Sequence, residues 1–228
     1  MPRSTFEHKL ERLQDELLVL GSMVEDALVE SVDALKHQDL ERAKQVIRGD
    51  DAINGKRYAI EAGVLALIAT QQPMASDLRV LASVLEIATE LERIGDYAKG
   101  TGRINLLIGV EPLIKPLIDL PLMAEIVRDM LHRALEALVR RDAELAIAVA
   151  GRDSEIDALY NQVYRELLTF VMCDPRAIEQ TMQLLWVGHN LERAADRVTN
   201  ICERVIFTVN GAVIELGGRD DMGVEGLV

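Results

Sequence analysis

Apolar residues recur at intervals of three and four along most of the chain, which is the spacing of helices buried along one face. In the first such stretch Leu10, Leu13, Leu17 and Leu20 follow this rule, and the pattern continues to about Lys36. Short stretches of polar residues, glycine and proline interrupt the pattern and end each helix. The intervals between them predict six long helices, over about residues 5–36, 40–70, 78–105, 122–141, 142–172 and 176–210.

A segment rich in proline and glycine separates the first three predicted helices from the last three. Gly109, Pro112, Pro116 and Pro121 break helical continuity there. Because the last three helices repeat the order of the first three, the sequence predicts an all-α fold of two tandem, similar three-helix bundles with a pseudo-two-fold internal repeat. The predicted parts are a first bundle at residues 1–107, a proline-rich linker at 108–121, a second bundle at 122–210 and a flexible C-terminal tail at 211–228.

One short phrase occurs in both halves: Leu-Glu-Arg-Ile-Gly-Asp at residues 91–96 and Leu-Glu-Arg-Ala-Ala-Asp at residues 191–196. Its two acids, Glu92 with Asp96 and Glu192 with Asp196, are four residues apart and therefore lie on one helical face. They continue the apolar stripes of their helices, so their carboxylates are predicted to point toward packed neighbours. Because like charges repel at this spacing, we expect a positive group to meet them.

The repeat exposes a second oxygen-rich pair in each half. Asp50 and Asn54 on the second helix correspond to Asp153 and Asp157 on the fifth. Two such pairs on facing helices outline a cation site, and oxygen donors without neighbouring histidine or cysteine favour magnesium, manganese or iron, with zinc still open. The alternative is that these acids are solvated surface charges or are paired with nearby arginines, namely Arg93, Arg103 and Arg193.

The composition narrows the classes of function. The 228 residues are 49% hydrophobic, which is enough for a substantial core. The net charge of -13 argues against binding to nucleic acid or to anionic lipid through non-specific charge. No apolar run approaches the roughly 20 residues that span a bilayer, and the N-terminus has no signal-peptide pattern, so a soluble cytoplasmic protein is expected.

Several of these segments resemble the PhoU family, and the resemblance covers about residues 6–209. The segments are Gly-Ser-Met-Val-Glu at 21–25, Gln-Pro-Met-Ala-Ser-Asp-Leu-Arg at 72–79, both acidic phrases, and Asn200-Ile201. The resemblance implies two three-helix bundles that bind multinuclear metal clusters. By it, the first cluster would be held by Asp50, Asn54, Glu92 and Asp96, and the second by Asp153, Asp157, Glu192, Asp196 and Asn200.

The first half departs from the family pattern at two positions. Asn54 stands where an acid would be the stronger ligand, and Gly100 occupies the place that matches Asn200. We therefore expect the first half to bind metal less tightly than the second, or not at all.

The resemblance also implies what the protein does. Its family acts as a negative regulator of the phosphate-starvation (Pho) response, between the ATPase subunit of a phosphate ABC transporter and a phosphate-sensing histidine kinase. Such a protein has no catalytic residues and reaches the membrane through its partners only. Long helices with aliphatic faces also favour self-association into a homodimer.

Two other functions are compatible with an acidic helical bundle. The first is a metal-dependent enzyme of the carboxylate-bridged type, but those bundles need a Glu-x-x-His step, and Gly95 and Ala195 stand three residues after the two glutamates. The second is a helical scaffold without any metal. Metal content would separate the scaffold from the other two functions, and turnover would separate the enzyme from the regulator.

Overall fold

The computed structural model describes residues 3–216, and every regular element among them is helical. The prediction of an all-α fold is therefore confirmed. The helices are α1 (Arg3–Lys36), α2 (Leu40–Gln71), α3 (Ala75–Ile108), α4 (Asp119–Arg140), α5 (Ala143–Ala150), α6 (Asp153–Cys173) and α7 (Ile178–Asn210), with a 3-10 turn at Pro175–Ala177 before α7.

Aspartates begin two of these helices. The side chain of Asp39 accepts the backbone N–H groups of Glu41 and Arg42 at the start of α2, and Asp142 accepts that of Leu145 at the start of α5. Each bond satisfies a donor that has no partner within the first helical turn. Both aspartates hold corresponding positions in the two halves, so the repeat extends to the way the helices begin.

The sequence predicts a single helix between Asp142 and about Met172. This prediction is wrong, because the structure has two helices there, α5 and α6. The chain makes a tighter turn at Gly151 and Arg152, where the N–H of Arg152 donates to the carbonyl of Val149. The Arg152 guanidinium then bonds to Asp129 on α4 and to Glu155 on α6. The break divides the helix into α5 and α6, which both pack on α7, so the three-rod arrangement of the second half is kept.

The two bundles pack side by side, with α3 against α7 and α1 against α4. Contacts such as Ser83 with Arg204 and Glu90 with Arg197 run in opposite directions along the two chains, so α3 and α7 are antiparallel. One continuous core joins the halves. Leu91 of the first half and Leu191 of the second are completely buried and belong to the same cluster of core residues. Burying a leucine side chain contributes roughly 1.5–3 kcal/mol.

The linker and residues 211–216 both pack on the bundles. Gln180 of α7 accepts the N–H of Ile114, with a 2.5 Å separation, and donates to the carbonyl of Pro112. Residues 211–216 follow α7 as an ordered segment, whereas the rest of the predicted tail, residues 217–228, lies outside the described residues. Among residues 3–216, none of the helices combines the length and the apolar composition of a membrane span.

Candidate cation sites in the two halves

The buried carboxylate of the first half is already paired with a cation from its own chain. Asp50 on α2 is 1% exposed, and Lys99 Nζ on α3 lies 2.5 Å from its Oδ2. The amide of Asn54 donates to the same oxygen at 2.8 Å. Asp50 raises the pKa of the Lys99 ammonium by this hydrogen bond. We expected a positive group at Glu92 and Asp96; Lys99 instead pairs with Asp50, and the charge of Asp96 only adds to the rise of the Lys99 pKa.

The other two acids of the first half lie toward solvent. Burial raises the pKa of the half-buried Glu92 carboxyl, the neighbouring charge of Asp96 raises it further, and Arg57 opposes the rise. Asp50 also contributes to this rise, so the three carboxyl groups are within electrostatic reach of one another. Asp96 itself is exposed. The predicted residues are thus brought together, but with Lys99 among them.

In the second half, three predicted residues line one cleft of about 550 Å³. They are Asp153 from α6 and Asp196 and Asn200 from α7. Thr199 stands one hundred positions after Lys99 and lines the same cleft; it is 4% exposed, and its hydroxyl oxygen has no hydrogen-bond partner. Where the first half has an ammonium, the second therefore has an uncharged oxygen.

The remaining two predicted residues lie one helical turn farther along the same helices. Tyr160 of α6 is the neighbour of Gly188 on α7; because these helices run in opposite directions, this register sets Asp157 level with Glu192 and Asp153 level with Asp196. Glu192 is 7% exposed, and His189 Nδ1 lies 3.3 Å from its Oε2. Burial raises the pKa of the Tyr160 hydroxyl, and the charge of Glu192 adds to this effect.

Asn200 makes a hydrogen bond that crosses between the halves. Its Nδ2 donates to Glu90 Oε2 on α3 at 3.1 Å, and Arg197 donates to the same oxygen at 3.2 Å. Since a carboxylate only accepts hydrogen bonds, the amide nitrogen faces Glu90 and the amide oxygen is left for another partner.

The donor sets of the two halves differ in how well they fit a metal ion. Within the described residues, no three histidine, cysteine or acidic side chains already converge as a closed ligand set. Of the predicted ligands, the second cleft nevertheless brings together two carboxylates and an amide oxygen, and Thr199 adds a buried hydroxyl without a partner; these donors suit a hard cation, although Arg197 and Arg204 line the cleft as well. In the first half the Lys99 ammonium already holds Asp50, so a metal would have to displace it. The ligand role of all nine residues stays a prediction.

Sequence reasoning missed Lys99, Thr199 and Glu90. Lys99 could have been found, because it follows Glu92 by seven residues and so lies on the same helical face. Thr199 then follows from the repeat. Glu90 had no such signal, because the two partners that make it relevant to the cleft, Arg197 and Asn200, are more than one hundred positions away in the other bundle.

Comparison with known proteins agrees with this two-part architecture. The family model of the PhoU domain matches the chain twice, at residues 17–104 and 120–205. The phosphate-specific transport system accessory protein PhoU homolog of Clostridium acetobutylicum is 36% identical over 95% of this chain and 99% of its own length. PhoU of Escherichia coli K12 is 33% identical over 95% of this chain and 90% of its own length.

Two solved structures extend the agreement to the fold. The phosphate transport system regulatory protein PhoU from Streptococcus pneumoniae has a TM-score of 0.86 at 32% identity, over 92% of this chain and the whole of that one. PhoU from Pseudomonas aeruginosa has the same TM-score at 36% identity, over 91% of this chain and the whole of its own. The resemblance seen in the sequence is thereby confirmed, and the chain belongs to the PhoU family.

Proposed function

We propose that this protein is a cytoplasmic, non-enzymatic accessory regulator of a phosphate transport system. The observation that carries the proposal is the match of both halves to the PhoU domain, together with relatives named accessory or regulatory proteins of phosphate transport. In this role it represses the phosphate-starvation response when phosphate is plentiful. Its partners are the ATPase subunit of the phosphate transporter and a phosphate-sensing histidine kinase.

A chromosomal deletion tests the regulatory role. A strain that lacks the protein is expected to express phosphate-starvation genes in phosphate-rich medium, and the wild-type gene supplied in trans is expected to restore repression. Pull-down of the purified ATPase subunit and of the cytoplasmic part of the kinase, in buffer of moderate salt, tests the partners. Normal repression in the deletion strain, together with no capture of either partner, would refute the proposal.

We propose further that the second half holds a divalent or trivalent metal ion, while the first half holds it weakly or not at all. The support is the contrast between Lys99, which neutralises Asp50, and Thr199, whose hydroxyl lies in the corresponding cleft. When bound, such an ion supplies positive charge to the acids of the cleft. Asp153 on α6 and Asp196 and Asn200 on α7 would hold the ion, so the bound ion would link α6 to α7 and stabilise their packing.

The same acids could serve the alternative enzyme, a carboxylate-bridged oxidase or hydrolase. The names of the relatives favour the regulator. Assays for phosphatase, kinase and oxidase activity are expected to stay at background. Turnover that disappears in the variant Glu192→Ala would favour the enzyme instead.

A further inference from the structure

The chain turns back on itself after α7. Gly211 has a φ of 74°, a conformation that glycine adopts without steric cost, and its N–H closes the helix on the carbonyl of Phe207. The chain then runs back beside α7, and the N–H of Leu216 donates to Glu203 Oε1 at 2.8 Å. We call residues 211–216 the C-terminal strap.

The strap forms one wall of the second cleft. Val213, Ile214 and Glu215 line it together with Asp153 and Asp196. The strap is held there by side chains as well as by its backbone, because Ile214 and Leu216 are partly buried against the core. Ile214 and Leu216 therefore anchor the strap beside the cleft, and the exposed Glu215 between them brings a carboxylate of its own.

The charges around the cleft favour a cation. Four of its lining residues are acids: Asp153, Asp196, Glu203 and Glu215. Its two arginines are engaged by acids of the other bundle, Arg197 by Glu90 at 3.2 Å and Arg204 by Glu86 at 2.9 Å. Two of the acids also have a distant arginine partner, Glu203 at 4.0 Å from Arg204 and Asp196 at 3.9 Å from Arg193.

An independent observation points to a ligand in the same place. Thr199 lines the cleft with a buried hydroxyl oxygen that has no hydrogen-bond partner. A buried polar atom without a partner is costly, and a hard cation or its water would satisfy it.

The first half has no equivalent of the strap. The corresponding reversal occurs at Gly109, with a φ of 67°. The chain that follows is tied to Gln38 of the α1–α2 turn and to Gln180 of α7. It leads away to the second bundle and brings no carboxylate to the acids of α2 and α3.

We propose that Glu215 is an additional ligand of a divalent cation in the second cleft, and that the C-terminal strap closes over this cation. The inference rests on the proposed metal site of the second half and deepens it. Neither the acidic phrases nor the repeat contain Glu215, so the strap is a feature that the two halves do not share.

Calorimetric titration of the full chain with Mn²⁺ tests the proposal. Glu215→Gln removes one negative charge without changing the size of an exposed side chain, and is expected to weaken Mn²⁺ binding by about tenfold. Glu179→Gln, the same change at an exposed position near the start of α7, is expected to bind like the wild type. Amide hydrogen exchange at residues 211–216 is expected to slow on addition of Mn²⁺ in the wild type, and much less in Glu215→Gln.

The outcomes separate this proposal from the one on which it rests. If the wild type binds Mn²⁺ and Glu215→Gln binds it equally well with unchanged exchange in the strap, the role of Glu215 is refuted and the metal site stands. If the wild type binds no Mn²⁺, both proposals fall.

Discussion

The amide nitrogen of Asn200 lies 3.1 Å from Glu90 Oε2, and this hydrogen bond joins the second half to the first. The carboxylate of Glu90 can only accept a hydrogen bond, so it must face the N–H donors of the Asn200 amide. The hydrogen bond therefore fixes the orientation of the amide and leaves its oxygen for another partner. Glu90 is therefore a positioning residue for a candidate ligand in the other bundle. The relationship also links the cation site to the packing of α3 on α7.

The first prediction follows from this contact. Glu90→Gln replaces the carboxylate by an amide that offers either a donor or an acceptor, so Asn200 is no longer held in one orientation. We expect Mn²⁺ affinity to fall on the order of tenfold, as for other groups that orient a metal ligand. Calorimetric titration is the measurement, with Glu125→Gln as the control, since Glu125 on α4 is exposed, pairs with Arg128 and does not line the cleft. Equal affinities of the two variants would contradict the positioning role.

The second prediction concerns Lys99. Lys99→Met removes the partner of the buried Asp50 carboxylate while keeping much of the apolar stem, so the free energy of unfolding should fall by roughly 1–3 kcal/mol. The control Lys44→Met breaks a surface pair with Glu41, and such pairs contribute about 1 kcal/mol or less. Urea unfolding in the presence of a chelator measures both. Equal, small losses would show that Lys99 does not stabilise Asp50.

The second prediction extends to metal binding, which the same Lys99→Met variant tests. Once the ammonium is gone, Asp50, Asn54, Glu92 and Asp96 are left without their internal cation. We expect the variant to bind one more Mn²⁺ equivalent per chain than the wild type. An unchanged stoichiometry would mean that Lys99 is not what keeps the first half from binding metal.

A third prediction uses the seam between α1 and α4. Burial raises the pKa of the Glu25 carboxyl, and His132, whose Nδ1 lies 3.5 Å from Glu25 Oε1, only partly opposes this rise. A raised pKa means that the folded state binds the proton more readily than the unfolded state does. The stability contributed by protonated Glu25 is therefore present at low pH and is lost as the pH rises through the folded-state pKa.

The variant Glu25→Gln tests this sign. It removes the cost of the buried charge, so it should be more stable than the wild type at pH 7.5, and the advantage should shrink as the pH falls to about 4, near the ordinary glutamate pKa. Urea unfolding at both values measures the difference. The control is Glu136→Gln, a half-buried residue on α4 that pairs with Arg140. An advantage that grows toward low pH would contradict the assignment.

A fourth prediction concerns the close approach of α2 and α3. A Cβ atom at Gly102 would lie 3.2 Å from the carbonyl oxygen of Ala43 and 3.2 Å from the Ile47 side chain, whereas at Gly55 it would meet nothing within 4 Å. Gly102→Leu should therefore lower the free energy of unfolding by roughly 1–3 kcal/mol. Gly55→Leu should raise it by up to about 1 kcal/mol, because leucine favours the helix. Thermal unfolding of the two variants, with the opposite signs expected, is the check.

Much of this structure was accessible from the sequence because it depends on local rules. The caps at Asp39 and Asp142 and the helical spacing of Leu10 to Leu20 are properties of a single segment, and the repeat fixes how one half relates to the other. The break at Gly151 is accompanied by a contact of Arg152 with Asp129 on another helix. The partner of Asp50 and the strap over the second cleft are likewise contacts between distant residues, which helical spacing does not specify.

The metal content of two double variants tests the account most directly. Glu192→Gln/Asp196→Asn removes the acids of the second half, and Glu92→Gln/Asp96→Asn removes the corresponding pair of the first. With protein purified without chelator or metal-affinity resin, elemental analysis should show bound metal in the wild type, a large loss in the second-half variant and little loss in the first-half variant. Chelation should lower the melting temperature of the wild type, because clustered carboxylates repel when their cation is removed. Equal loss from both double variants, or no metal in the wild type, would contradict the asymmetry between Lys99 and Thr199.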